Sequence, residues 1–375
     1  VSDKILIIAG EVSGDHHAAE LVKAMQQSGK AFTFHGIGGD DLQECGMELF
    51  FHVRDMAFLG IAEVLRHLPF IRRVMLTIVE WARKERPACV ILVDYPGFNL
   101  RLAARLKKIG IPVVYYISPQ LWAWGRGRIH KIRRDVDLML VLFPFEQKFY
   151  ADYGIEAHYV GHPLVDKHTR HLPEQVKTPQ PGNVIVGLLP GSRKQEVRLL
   201  LPTMLESVRR LRNASDLDRV EIIRVEHIEE SFYRSFYSSG DDEFITLKKA
   251  NLRDVLRHYD AVAVASGTAT LECAFYAVPM VIVYHVSLLT YWLGRMLVKV
   301  PFIGLANIVA EQQVAKELIQ DDLYAAALAD ELHRLLQPQA NREAREKLKT
   351  VRQKLGQPGA SDRAAGEIIA FLKKR

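Results

Sequence analysis

The sequence predicts an α/β protein of two doubly wound domains. Three observations carry that reading. Short apolar runs alternate with helical stretches. The runs suit strands buried on both faces. A polar segment bearing three prolines interrupts the alternation near the middle of the chain. A length of 375 residues also suits two domains.

Taken in order, residues 4–9 read as a first buried strand. Gly10-Glu11-Val12-Ser13-Gly14-Asp15 follows as a loop, then a helix to about Gln27. The loop lacks the G-x-G-x-x-G spacing of a dinucleotide site. A strand over 32–36 leads into Gly38-Gly39-Asp40, and further strands are expected over 88–93, 112–117 and 138–141. Helices are expected near 71–85, 100–109 and 145–153. Gly161-His162-Pro163 breaks this rhythm, and the segment 166–183, with Pro173, Pro179 and Pro181, reads as the interdomain linker. The second series has strands over 184–188, 220–225, 261–265 and 280–284, and the tail 325–375 reads as helical. Ligands of such sheets bind beyond the strand C-terminal ends, so a cleft between the domains is the expected active site.

Composition narrows the function classes. Hydrophobic residues make up 49% of the chain, ample for two cores. The net charge of +6 is compatible with phosphate ligands or an anionic membrane surface, and no nucleic-acid partner is expected from it. Cys45, Cys89 and Cys273 show neither metal-like nor CxxC spacing, which predicts reduced thiols and a cytoplasmic setting. The early first strand predicts no signal peptide. The longest apolar stretch, 288–310, is broken by Arg295 and Lys299, so no membrane span is expected. With no H-E-x-x-H, no Asp-x-Asp and no cysteine–histidine cluster, neither a metal nor another cofactor is expected.

Four loops carry candidate chemistry. The stretch 261–279 reads as strand, small-residue turn and helix. Ser266-Gly267-Thr268 forms the turn, with Thr268 as N-cap, and backbone N–H groups and the helix dipole there favour an anion. Glu272, one turn into that helix, is within reach of a sugar diol beside a bound phosphate, although a plain βα turn explains the same residues. Leu189-Pro190-Gly191-Ser192-Arg193 ends another strand; Gly191 and Ser192 offer donors, and Arg193 offers a charged fork for phosphate or a surface ion pair. Two such turns in one domain suit a diphosphate. Asp94 directly follows a buried strand, so desolvation can tune it as a general base. The competing role is capping the next helix, for which Asn99, adjacent to Leu100, is better placed. Trp122 and Trp124, before Arg126 and Arg128, suit stacking on a sugar, contact with acyl chains, or core packing. Residues 56–73 mix Met56, Phe58 and Leu59 with Arg66, Arg72 and Arg73, either a membrane-surface element or a core helix with a solvated basic face.

The ordered set of motifs resembles the lipid-A-disaccharide synthase family. A-G-E-x-S-G-D over 9–15, D-x-P-x-F-N over 94–99 and S-P-x-x-W-A-W over 118–124 carry the resemblance in the first half. F-P-F-E over 143–146, G-H-P over 161–163, L-P-G-S-R over 189–193 and A-S-G-T-A-T-L-E over 265–272 continue it. It spans nearly the whole chain. It implies a GT-B glycosyltransferase: two Rossmann-like domains with parallel sheets facing across a cleft. Residues 1–165 would form the acceptor and membrane side, 166–345 the UDP-sugar donor domain, and 346–375 helices crossing back to the first domain. The implied reaction joins UDP-2,3-diacylglucosamine to 2,3-diacylglucosamine 1-phosphate through a β-1′,6 linkage, with inversion and release of UDP. The implied setting is the inner face of the cytoplasmic membrane, as a peripheral protein, with a homodimer left open.

By the same resemblance, Asp94 is the base for the acceptor hydroxyl, with Glu11 or Asp15 next in line. Arg193, Ser266, Gly267 and Thr268 surround the diphosphate, and Glu272 reaches the ribose. Asn307 and Glu317 match a donor-side segment, as does Gln320. Glu11, Ser13, Gly14, Asp15, Trp122 and Trp124 fall on the acceptor side, and Met56, Phe58 and Leu59 on the membrane side. Glu311-Gln312 depart from the family pattern, which often has Gly followed by a basic residue. The alternatives are another UDP-sugar GT-B enzyme (a muramyl-pathway transferase or an epimerase) and a non-catalytic UDP-sugar-binding protein of the membrane surface.

Overall fold

The computed structural model describes residues 3–56, 67–123, 125–169, 177–214, 217–286 and 301–375. The chain divides into two compact units, Val1–Asp166 with Gln357–Arg375, and Lys167–Gly356.

The first unit is built on a wholly parallel seven-stranded sheet. Its strands are β1 (Asp3–Ala9), β2 (Phe32–Gly38), β3 (Glu48–His52), β4 (Cys89–Val93), β5 (Val113–Tyr116), β6 (Leu138–Val141) and β7 (Ala157–Tyr159), in the order β3-β2-β1-β4-β5-β6-β7. Every residue of β4 is buried, as are all but the first two of β1, so the continuous apolar runs are strands covered on both faces. The strand order reverses between β1 and β4, whose last residues, Ala9 and Val93, lie side by side. Strands β3 and β7 were not expected; they are short edge strands without an unbroken apolar run.

The second unit holds β8 (Ile185–Leu189), β9 (Arg219–Arg224), β10 (Ile245–Lys249), β11 (Ala261–Ala265), β12 (Met280–Tyr284) and β13 (Lys316–Ile319), again all parallel, in the order β10-β9-β8-β11-β12-β13. Its reversal falls between β8 and β11. The edge strands β10 and β13 escape a reading based on apolar runs because ITLKK and KELI are half polar.

The C-terminal helices divide between the units. Helix Pro338–Lys354 stays with the second, because Arg345 donates to the carbonyls of Ala277 (3.0 Å) and Tyr259 (3.2 Å) from a buried position. Helix Ala360–Lys373 belongs to the first. The Asp166 carboxylate accepts from the backbone N–H of Ala360 (3.0 Å), and Arg363 Nε donates to the carbonyl of Val160 (2.8 Å). Its Ala360, Ala364, Ala365 and Ile368 are buried.

Three local expectations change. The first helix begins at Val12, not after Asp15, so Ser13, Gly14 and Asp15 lie in its first turn. The helix after β4 begins at Pro96, whose fixed φ suits a first helical position, so Asn99 sits inside it rather than capping it. Met56 is 1% exposed within the core of the first unit, which removes it from any membrane face. Phe58 and Leu59 lie outside the described residues. No described helix is long and apolar enough to cross a membrane.

Candidate active site

At the reversal of the first sheet, β4 passes into Asp94 and Tyr95, both at φ 45°. Left-handed backbone at a non-glycine residue costs on the order of 1–3 kcal/mol, so two in succession require support. Asp94 N–H donates to the carbonyl of Tyr116 (3.2 Å), which continues the ladder one step past the strand. Asp94 does not cap the following helix, which has no side-chain cap. Its carboxyl is pushed up to about 6, first by burial and then by the charge of Glu11, while a hydrogen bond from the Tyr95 backbone pulls the other way. It is therefore an ionised but basic carboxylate near neutral pH, the property a general base needs.

Glu11 follows β1 and is exposed, as is Ser13. The ring of Tyr95 lies over Gly10: a Cβ there would sit 2.3 Å from Tyr95 Cδ1. Asp15 does not join this group. It is 3% exposed, and its carboxylate accepts from the N–H groups of Gly39 (2.6 Å), Asp41 (3.1 Å) and Leu42 (3.3 Å), pinning the loop after β2. Trp122 is buried too, its indole N–H donating to Glu146 Oε1 (3.2 Å). Glu146 also accepts from Leu142 N–H and Phe143 N–H at the start of its own helix. Burial pushes its carboxyl up to about 7 against these bonds. Trp122 thus anchors its loop to the fold, and Trp124 lies outside the described residues.

The second reversal brings together the turns after β8 and β11. Helix Thr268–Phe275 has Gly267, not Thr268, at its N-cap position, and no side chain caps it. Thr268 is exposed, among the described residues nothing comes within 4 Å of a Cβ placed at Gly267, and Thr270 N–H donates to the Gly267 carbonyl (3.1 Å). The Ser266 hydroxyl donates to the carbonyl of Ile303 (3.2 Å).

The turn after β8 differs from expectation. Glu196, the third residue of helix Lys194–Ala214, accepts from Ser192 N–H (2.9 Å) and Arg193 N–H (3.2 Å), so a carboxylate of the chain already occupies these donors. Gly191, at φ 112°, admits that carboxylate; a Cβ there would meet Glu196 Oε2 at 2.3 Å. The Arg193 side chain is 65% exposed, its guanidinium 3.6 Å from Glu196. Glu196 was legible as a third-position helix acid but was missed.

Glu272 lies one turn into helix Thr268–Phe275, with 17% of its side chain exposed. Burial raises its carboxyl, and Lys167 opposes that rise. His168 Nε2 stands 3.4 Å from Glu272 Oε2, and its Nδ1 is 3.0 Å from the Tyr276 hydroxyl. Nothing in the local sequence links residues 168 and 272.

Asn307 and Glu317 form framework. Buried Asn307 bonds to the backbone of Val314 and Ala315 and, at 2.8 Å, to Glu317. Glu317 accepts from Ile303 N–H (3.0 Å) and Gly304 N–H (2.9 Å). Gln320 clamps both backbone groups of Val286 (2.7 and 3.0 Å). Glu311 takes the left-handed position that ends helix Leu305–Ala310 (φ 58°), where glycine is the usual residue, and pairs with Lys354 (2.8 Å).

Among the described residues, no group of three His, Cys, Asp or Glu is arranged to hold a metal ion. The two-unit fold is shared with several solved structures. MurG of Acinetobacter baumannii aligns with a TM-score of 0.62 at 14% identity over 100% of both chains. The UDP-GlcNAc 2-epimerase of Neisseria meningitidis, bound to UDP-GlcNAc, gives 0.66 at 11% over 99% and 100%. The calicheamicin glycosyltransferase CalG4 gives 0.60 at 17% over 100% and 99%. These likenesses define the class by fold, GT-B.

The family follows from sequence. The model described as lipid-A-disaccharide synthetase matches residues 5–369. Lipid-A-disaccharide synthases of Myxococcus xanthus and Geobacter sulfurreducens are each 41% identical, over 98% and 100% of this chain and 97% and 98% of theirs. The chain belongs to the lipid-A-disaccharide synthase family and is a glycosyltransferase.

Because Asp94 has a raised carboxyl pKa in the folded state, its charge opposes folding above about 6, and that penalty fades as pH falls toward the unfolded value near 4. Asp94→Asn should therefore melt higher than the native protein at pH 8. The advantage should shrink as the buffer is taken through pH 6 to 4. A pH-independent difference in calorimetry would contradict the desolvated carboxylate.

Proposed function

We propose that this enzyme transfers 2,3-diacylglucosamine from its UDP conjugate to the 6-hydroxyl of 2,3-diacylglucosamine 1-phosphate, forming the β-1′,6 disaccharide of lipid A and UDP. Family membership supports the reaction. The observation that carries the mechanism is Asp94, a partly buried carboxylate at the strand-order reversal whose proton affinity suits a base near neutral pH.

In this reading the first unit serves the acceptor. An Asp94 carboxylate oxygen takes the proton of the acceptor hydroxyl as the hydroxyl oxygen attacks the donor's anomeric carbon. The bond from this carbon to the diphosphate oxygen breaks, its electron pair leaves with UDP, and one displacement inverts the centre. The second unit serves the donor. Exposed Arg193 and the N-terminus of helix Thr268–Phe275, which no side chain caps, stabilise the leaving diphosphate, and Glu272 meets the ribose. Asn307 and Glu317 support that side by holding the backbone from 303 to 315 rather than by touching the donor.

Lipid substrates imply a membrane surface, and we place the enzyme at the inner face of the cytoplasmic membrane as a peripheral protein. Helix Leu68–Glu85 supports this: Leu68 (44%) and Leu76 (40%) are exposed on the same face as Arg72 and Arg73. Such a face matches acyl chains and anionic headgroups together.

Incubation with both acylated substrates and mass detection of the disaccharide tests the reaction; no product from folded, UDP-binding protein would refute it. Asp94→Asn is nearly isosteric and should bind UDP normally while kcat falls by about 10²–10⁴-fold. Near-normal turnover would move the base elsewhere. Arg193→Ala should weaken UDP binding by about 1.5–3 kcal/mol, as for a charge-assisted hydrogen bond; unchanged affinity by calorimetry would remove it from the donor site. Leu68→Ser with Leu76→Ser should reduce flotation with anionic vesicles and leave UDP affinity intact, and undiminished flotation would exclude this helix as the contact.

A further inference from the structure

Two consecutive left-handed residues, Asp94 and Tyr95, stand between β4 and helix Pro96–Lys108, and neither is glycine. Such a backbone persists only where its surroundings enforce it. Two buried side chains meet it. Asn99 Nδ2 donates to the carbonyls of Val93 (3.1 Å) and Asp94 (2.8 Å). The Tyr115 hydroxyl donates to the same Asp94 carbonyl (2.7 Å). Both residues are 0% exposed. Asn99 Oδ1 has no hydrogen-bond partner among the described residues, an unfavourable state for a buried amide oxygen, so its NH₂ group accounts for an amide in this position. Tyr95 is held from the other side by the close approach of its ring to Gly10.

We propose that Asn99 and Tyr115 are positioning residues for the transfer reaction, fixing the Asp94 carboxylate by gripping its main-chain carbonyl. This rests on the reading of Asp94 as the base. With the peptide after Asp94 held by two donors, the direction of its Cα–Cβ bond is set, and the carboxylate is kept from turning back to cap the helix that follows. Neither side chain needs to reach the substrate. The arrangement separates two tasks that one carboxylate cannot combine well: the fixing bonds fall on the backbone, and the side chain stays available for a proton.

The test compares Tyr115→Phe and Asn99→Ala, alone and combined with Asp94→Asn, in the full-length enzyme below its melting temperature. A misplacement of about 1 Å in a reacting group can cost about 10²-fold, so Asn99→Ala should lower kcat by about that factor. Tyr115→Phe, which leaves Asn99 bound to the carbonyl, should lower it less. KM for the donor and affinity for UDP should hold, and the acid limb of the pH–rate profile should move. In the Asp94→Asn background neither change should slow turnover further, whereas a purely structural role would give additive losses. Wild-type kcat and pH profile in both folded variants, with Asp94→Asn slow, would overturn the positioning role alone. Near-normal turnover of Asp94→Asn would overturn the base and the positioning role together. If Asn99→Ala does not fold, Tyr115→Phe decides by the same criteria.

Discussion

Where a parallel sheet reverses its strand order, the crossover connections on either side depart in opposite directions, and the ground above two neighbouring strand ends is left uncovered. Here that happens between β1 and β4 in one unit and between β8 and β11 in the other. Both strands of each pair are central and buried, so whatever follows them is held on a rigid base yet meets solvent or ligand. The turns beginning at Gly10, Asp94, Pro190 and Ser266 are the residues that emerge at those four ends. Nearly all the chemistry assigned to this protein depends on that geometric allowance.

The two reversals differ in electrostatic character. The first carries two acids, Glu11 and Asp94, and their mutual repulsion adds to desolvation in raising the Asp94 carboxyl. The second carries the start of helix Thr268–Phe275, which no side chain caps, and the exposed side chain of Arg193. A group that accepts a proton and a set of donors that stabilises a departing anion require opposite fields. A single crevice would force each to weaken the other.

Carboxylates also serve the framework, and the contrast marks the proposed base. Asp15, Glu146, Glu196 and Glu317 each accept from two or more backbone N–H groups, and each closes a loop or a helix start. Asp94 reverses the pattern, because the side-chain donors Asn99 and Tyr115 fall on its carbonyl. Glu196 shows the same logic on the donor side. It satisfies the turn amides and leaves the guanidinium of Arg193 as the group turned outward.

The sequence by itself determined the fold class, the place of the central strands and the short list of loops that matter. Unbroken apolar runs leave little choice but strands covered on both faces, and glycine, proline and charge mark where those runs end. It did not determine the edge strands β3, β7, β10 and β13, which are short or half polar and lack that signature. Nor could it separate Asp94 from Asp15, two acids in motif loops, of which one stays partly exposed and the other is consumed by the loop after β2. Met56 and Trp122 read equally as contact or core residues and are buried, because an apolar side chain looks the same in sequence whether its face is covered or bare. The partners that decide these cases, Gly39 with Asp15, Tyr115 with Asp94, Glu146 with Trp122 and His168 with Glu272, are separated by 21 to 104 residues in the chain. Only the folded sheet brings them within hydrogen-bond or ion-pair reach, since local spacing constrains neighbours within a turn or two and nothing beyond.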